Sequence, residues 1–71
     1  METTNPGYLP IEEIGFTERT YNCLKRAGIK LLGSLTFKTR AELLRIRNLG
    51  KRSVEEIEEK LNIYDFKLIT D

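Results

Sequence analysis

Apolar positions along this chain recur at helical rather than strand spacing, in short stretches cut by glycines and by residues that cap helices. The clearest stretch runs from Lys51 to about Leu61. There Val54, Ile57 and Leu61 fall at i, i+3 and i+7, opposite Glu55, Glu58 and Glu59. This is the strongest predicted helix, with Ser53 and Glu56 at capping-box spacing and Asn62 as its end. Upstream, Thr17 is the expected N-cap of a helix from Glu18 to about Ala27, with Phe16 stapling its start. Leu24 and Ala27 make a short apolar stripe on it, and Gly28 supplies the left-handed residue after it. Thr39 and Glu42 have capping-box spacing before a helix to about Ile46, and Asn48-Leu49-Gly50 reads as a tight turn into the last helix. Lys30 to Leu35 predicts one helical turn. Pro10 suits the first turn of a short helix, Ile11 to Ile14, ended by Gly15. Leu31, Leu32, Leu35, Leu43, Leu44, Ile46 and Leu49 supply the middle of the core. No segment alternates apolar and polar residues long enough to predict a strand. The fold class is therefore all-α, a compact bundle of four to five helices. Residues 1–9 read as a flexible arm with a Pro6-Gly7 turn, 10–62 as the helical domain, and 63–71 as a C-terminal strap or tail.

The composition narrows what such a bundle can do. At 71 residues it is one small domain, of a size that buries only about 60% of its unfolded surface. It has few residues to spare for an enclosed pocket. There is no His and a single Cys, which excludes His-based metal sites, His general bases and an internal disulfide. No metal, cofactor or small-molecule substrate is expected. No apolar run approaches the roughly 18 residues of a membrane span, and no signal-peptide pattern occurs, so a soluble cytoplasmic protein is expected. The net charge of +1 hides a sharp asymmetry. Between Arg19 and Arg52 lie ten bases against the single acid Glu42, whereas the flanking segments are each net acidic.

Two basic segments carry the candidate chemistry. The first is Arg47-Asn48-Leu49-Gly50-Lys51-Arg52-Ser53, a glycine turn leading into a helix. Such a helix start offers unpaired backbone N–H groups and a positive dipole end. Gly50 lets a ligand approach the backbone, Lys51 and Arg52 add charge, and Ser53 adds a hydroxyl. This is the pattern of a phosphate cradle; an ordinary turn with solvated bases is the alternative. The second is Arg19-Thr20-Tyr21-Asn22-Cys23-Leu24-Lys25-Arg26. On a helix Arg19, Asn22, Cys23 and Arg26 share one face, suited to phosphates and base edges or else a solvated basic stripe. Cys23 reads as a small packer that allows close approach. A weak echo between residues 24–29 and 46–51, each a helix followed by a glycine turn, has the pattern of helix-hairpin-helix units that grip DNA phosphates. No catalytic residues are expected: no P-loop or nucleophile elbow occurs, and the carboxylates of residues 55–59 lie on a solvated helix face.

The segments Tyr21-Asn22-Cys23-Leu24-Lys25-Arg26-Ala27-Gly28-Ile29 and Arg47-Asn48-Leu49-Gly50-Lys51-Arg52-Ser53, with Glu56-Ile57, resemble the C-terminal domain of the bacterial RNA polymerase α subunit. The resemblance runs from about Pro10 to Leu61. It implies a SAM-domain-like bundle of four helices with a short irregular helix before them. It implies binding of double-stranded, A·T-rich DNA upstream of promoters, through the minor groove and the phosphates. It also implies contacts with transcription regulators, sigma factor and the rest of the polymerase, in the bacterial nucleoid. Arg19 would be the principal minor-groove residue, with Asn22 and Cys23 lining the same contact. Gly50, Arg52 and Ser53 would hold phosphates, and Asn48, Lys51 and Lys25 would sit at the margin. Glu56 would lie at the edge of that surface, and the turn around Glu13 and Gly15 would match a region that touches neighbouring proteins. Gly15 stands where the family often carries an acid, and Arg52 where Lys is usual, which alters donor geometry. The family domain hangs by a linker from a large assembly domain, so the chain is expected to be either a fragment of that subunit or a free-standing relative. A helix-hairpin-helix module of repair or recombination, and a protein-interaction module with a basic docking face, remain the alternatives.

Overall fold

A computed structural model describes residues 6–70. Four α-helices follow two short 3-10 turns, at Pro6–Tyr8 and Ile11–Glu13: α1 (Glu18–Arg26), α2 (Leu32–Leu35), α3 (Arg40–Leu44) and α4 (Lys51–Ile63). The boundaries follow the local chemistry. Thr17 caps α1, accepting from the Thr20 N–H at 3.5 Å. At the other end Gly28, at φ +83°, closes α1. The Ile29 N–H donates back to the Leu24 carbonyl and the Gly28 N–H to that of Lys25, both at 3.0 Å. Ile29 and Leu24 are both buried, which completes this helix-terminating motif with its apolar contact. The Thr39/Glu42 capping box forms in full, with bonds of 3.0 and 2.9 Å.

The core is small and mostly leucine. Leu24, Leu32, Leu35, Leu43, Val54, Ile57 and Leu61 are completely buried, with Ile11, Ile14, Ile29 and Leu49 closing over them. Two expected core residues fall outside it: Leu44 is 43% exposed and Ala27 faces solvent. Both sit at the last turn of a short helix, where the neighbouring loop leaves too little wall to cover them.

Three further differences from the sequence expectation have local causes. The Ser53/Glu56 capping box does not form. Gly50 is the N-cap of α4, which leaves Ser53 inside the first turn and buried. Helix α4 runs past Asn62 to Ile63, and Asp65 takes the left-handed conformation at φ +65°. The Phe66 N–H then donates to Leu61 at 2.9 Å, turning the chain back across the bundle. Lastly, residues 6–9 are docked. The Leu32 N–H donates to the Leu9 carbonyl at 2.9 Å, and a Cβ on Gly33 would stand 2.9 Å from the Gly7 carbonyl oxygen. The part of the expected arm before Pro6 lies outside the described residues. The strap expected after residue 62 is extended and pairs with the body, its Ile69 N–H donating to the Lys38 carbonyl at 2.9 Å beside a parallel bridge from Thr39 to Ile69.

Candidate nucleic-acid interface

Helix α1 turns Thr20 and Leu24 into the core, which leaves Arg19, Asn22 and Arg26 exposed along the opposite side. Cys23 lies between these two faces and is 5% exposed. The turn joining α3 to α4 is plugged into the core by Leu49, while Asn48 holds the left-handed bend at φ +67°. These two elements meet. Cys23, Arg26 and Ala27 of the α1 end and Ile46, Arg47 and Asn48 of the turn line one groove of about 300 Å³. Arg26 and Arg47 are both exposed at this groove, and neither forms an ion pair among the described residues. Two unneutralised guanidiniums beside one groove set up a positive potential that attracts an anion.

Helix α4 starts at Lys51, just after the turn that carries Asn48, the last residue lining the groove. The Val54 N–H is the first to find an intrahelical acceptor, the Gly50 carbonyl at 3.1 Å, and no side chain caps the helix. The N–H groups of Lys51, Arg52 and Ser53 precede it and have no acceptor within α4. Gly50 has φ −93°, which any residue adopts, and a Cβ placed there meets nothing within 4 Å. Neither backbone nor packing calls for glycine at this position. Its bareness serves whatever comes from outside. Lys51 and Arg52 are exposed. Ser53 is 9% exposed.

Glu56 does something that local sequence spacing did not suggest. Its carboxylate accepts from the Thr17 N–H at 2.6 Å, the Thr20 hydroxyl at 2.7 Å and the Thr17 hydroxyl at 3.0 Å. It therefore pins the first turn of α1 to the second turn of α4. Partial burial disfavours its charged form. The hydrogen bonds from Thr17 and Thr20, aided by nearby Lys60, outweigh that and hold its carboxyl below the usual value.

Not every expected residue joins this surface. Lys25 stacks its ammonium over the Tyr21 ring, 5.6 Å from the centroid, roughly a third of a turn around α1 from the Arg19–Arg26 face. Glu13 and Gly15 lie in the turn before α1, with Glu13 exposed and Gly15 at φ +94°. A Cβ on Gly15 would stand 3.7 Å from the Lys60 ammonium. Arg26 and Arg47, which belong to the two basic segments without an individual role in the family resemblance, line the groove. The signal for Arg26 was its position seven residues after Arg19. Among the described residues no three acidic or Cys side chains are placed to hold a metal ion, and no helix is long and apolar enough to cross a membrane.

Comparison with known proteins agrees with this fold. The family described as the C-terminal domain of the bacterial RNA polymerase alpha chain matches residues 2–63. The DNA-directed RNA polymerase subunit alpha of Carboxydothermus hydrogenoformans is 54% identical over 54 residues, covering 76% of this chain and 17% of that protein. That of Bifidobacterium longum is 47% identical over 68 residues, covering 94% of this chain and 20% of that one. The chain thus spans about a fifth of the length of these relatives. Among solved structures, the C-terminal domain of the RNA polymerase alpha subunit from Helicobacter pylori superposes with a TM-score of 0.75. It is 38% identical and covers 84% of this chain and 53% of its own.

Proposed function

This chain belongs to the family formed by the C-terminal domain of the bacterial RNA polymerase alpha subunit, and on that footing we propose that it is a non-catalytic DNA-binding module of transcription. It holds A·T-rich DNA upstream of promoters and touches transcription regulators and sigma factor, in the cytoplasm at the nucleoid. The rest of the polymerase is its natural companion. One observation carries this reading: the exposed α1 face and the α3–α4 turn share a groove lined by Arg26, Arg47 and Asn48. A duplex can be straddled by two cationic elements that sit side by side.

The roles follow from the chemistry of each group. Arg19 enters the minor groove, where a narrow A-tract concentrates negative potential around a guanidinium. Asn22 and the small Cys23 allow the backbone of α1 to come close. The bare N–H groups after Gly50 and the Arg52 guanidinium hold phosphates from the adjacent strand. Asn48, Lys51 and Lys25 add charge or polarity at the margin. Neutralising a few phosphates gives an affinity that falls with salt, at a log–log slope of about −0.9 per phosphate. One such domain binds weakly, near the nonspecific range of about 10⁻⁴ to 10⁻⁶ M. Tethering to a larger assembly makes such affinity useful through effective concentration.

Titration of the chain and of two variants against A-tract and G·C-rich duplexes tests this. Arg19→Ala is expected to abolish the preference for the A-tract. Arg52→Ala is expected to weaken both duplexes and to flatten the salt slope by about one phosphate's worth. A wild-type chain that binds both duplexes equally would favour a helix-hairpin-helix grip on phosphates alone. A chain that binds neither would favour a basic docking face for acidic proteins.

A further inference from the structure

We propose that the cleft between α4 and the strap of residues 66–70 receives a basic, apolar-anchored segment of a partner protein. The proposal deepens the functional reading, on which it rests only for the existence of protein partners. The cleft has a volume of about 780 Å³ and shares no residue with the groove beside α1. Its floor is apolar, formed by Leu61, Phe66, Leu68 and Ile69. Ile69 is 47% exposed, although its backbone is tied to the body. Apolar surface held open in this way is a place for an anchor residue to dry.

The wall decides the chemistry of the occupant. It carries Glu55, Glu58 and Glu59 of α4, with Arg40 of α3 and Lys67 of the strap as its two cations. Glu58 is already paired with Arg40 from α3. Glu55 and Glu59 are exposed, lie one helical turn apart and form no ion pair among the described residues. Like charges at this spacing repel, and a Lys or Arg seated between them relieves the repulsion. With Arg40 taken up by Glu58, the two unpaired carboxylates outnumber the single ammonium of Lys67, and this surplus of negative charge disfavours nucleic acid and acidic peptides and favours a cationic segment. Because the two sites are disjoint, DNA on the α1 groove and a peptide in the cleft can be held together.

The test uses the 71-residue chain, isotopically labelled. The probe is an amidated synthetic peptide with Lys and Leu at helical spacing, with a sequence-scrambled peptide of equal composition as control. The ordered peptide is expected to saturate, to shift the resonances of Leu61, Leu68 and Ile69, and to outcompete the scrambled one. The double variant Glu55→Gln/Glu59→Gln, altered only on the exposed helix face, should bind it about fivefold more weakly, as for two exposed ion pairs. Ile69→Ala should weaken binding by a similar factor, with an unchanged far-ultraviolet spectrum. Shifts mapping away from the cleft, or unchanged affinity in both variants, would overturn the proposal. An A-tract duplex titrated into the same sample separates the two ideas. Duplex binding without peptide binding sinks the cleft and leaves the DNA reading, and peptide binding without duplex binding does the reverse.

Discussion

Removing the Glu56 carboxylate should loosen the seam between α1 and α4, because three hydrogen bonds converge on it from Thr17 and Thr20. A hydrogen bond to a charged acceptor contributes about 1.5–3 kcal/mol when well buried. Two of these three are exposed, and water replaces the lost partner there, so they contribute much less. The sum for Glu56→Ala is about 2 kcal/mol, most of it from the part-buried Thr20 bond. A chain of this length has roughly 4–10 kcal/mol of stability in all, so the loss is large. It corresponds to a fall in Tm of about 8–15 °C, read by circular dichroism. A double-mutant cycle with Thr20→Val isolates the pair, with an expected coupling of about 1 kcal/mol. The pH dependence supplies an independent check. The folded carboxyl titrates below its ordinary value of 4.5. Its contribution is therefore complete above that value and is lost as pH falls through the folded one. The stability gap between the wild type and Glu56→Gln should be widest at neutral pH and close on acidification. An additive cycle, or a gap that grows in acid, would refute the staple.

Other outcomes follow from the same geometry. Gly50→Ala should leave thermal stability unchanged, since a Cβ there meets nothing within 4 Å, yet it should weaken duplex binding by shading the bare N–H groups, measurable by fluorescence anisotropy. Asp65→Gly should raise stability by about 0.5–1 kcal/mol in urea denaturation, because glycine carries no steric cost at positive φ. Gly33→Ala should destabilise and should disturb the resonances of residues 6–9, because the added carbon would stand 2.9 Å from the Gly7 carbonyl oxygen.

What could be foreseen from the sequence was what is decided locally. The closure of α1 at Gly28 and the Thr39/Glu42 box need only residues within one turn of each other, and both formed as expected. The Arg19, Asn22 and Arg26 face was likewise visible from helical spacing. The Ser53/Glu56 pairing failed because a capping box depends on which residue starts the helix, and Gly50 took that place from Ser53. Glu56 instead found hydrogen-bond donors 36 and 39 residues away, a choice that no short pattern encodes. The meeting of Arg26 with Arg47 and the cleft beneath the strap have the same origin. Each is a product of how the helices cross, and the periodicity of any one helix is silent about that.

The strap has a mechanical consequence for the cleft it helps to form. Past the turn that ends α4, one backbone hydrogen bond ties it to the body among the described residues, from the Ile69 amide to the Lys38 carbonyl. That tie contributes about 0.5–1.5 kcal/mol, and the half-buried Phe66 and Leu68, packed against the core, supply the larger share of what holds the segment down. The cleft therefore lasts as long as these apolar contacts do, and the deuterium uptake of the Ile69 amide would count how often they part.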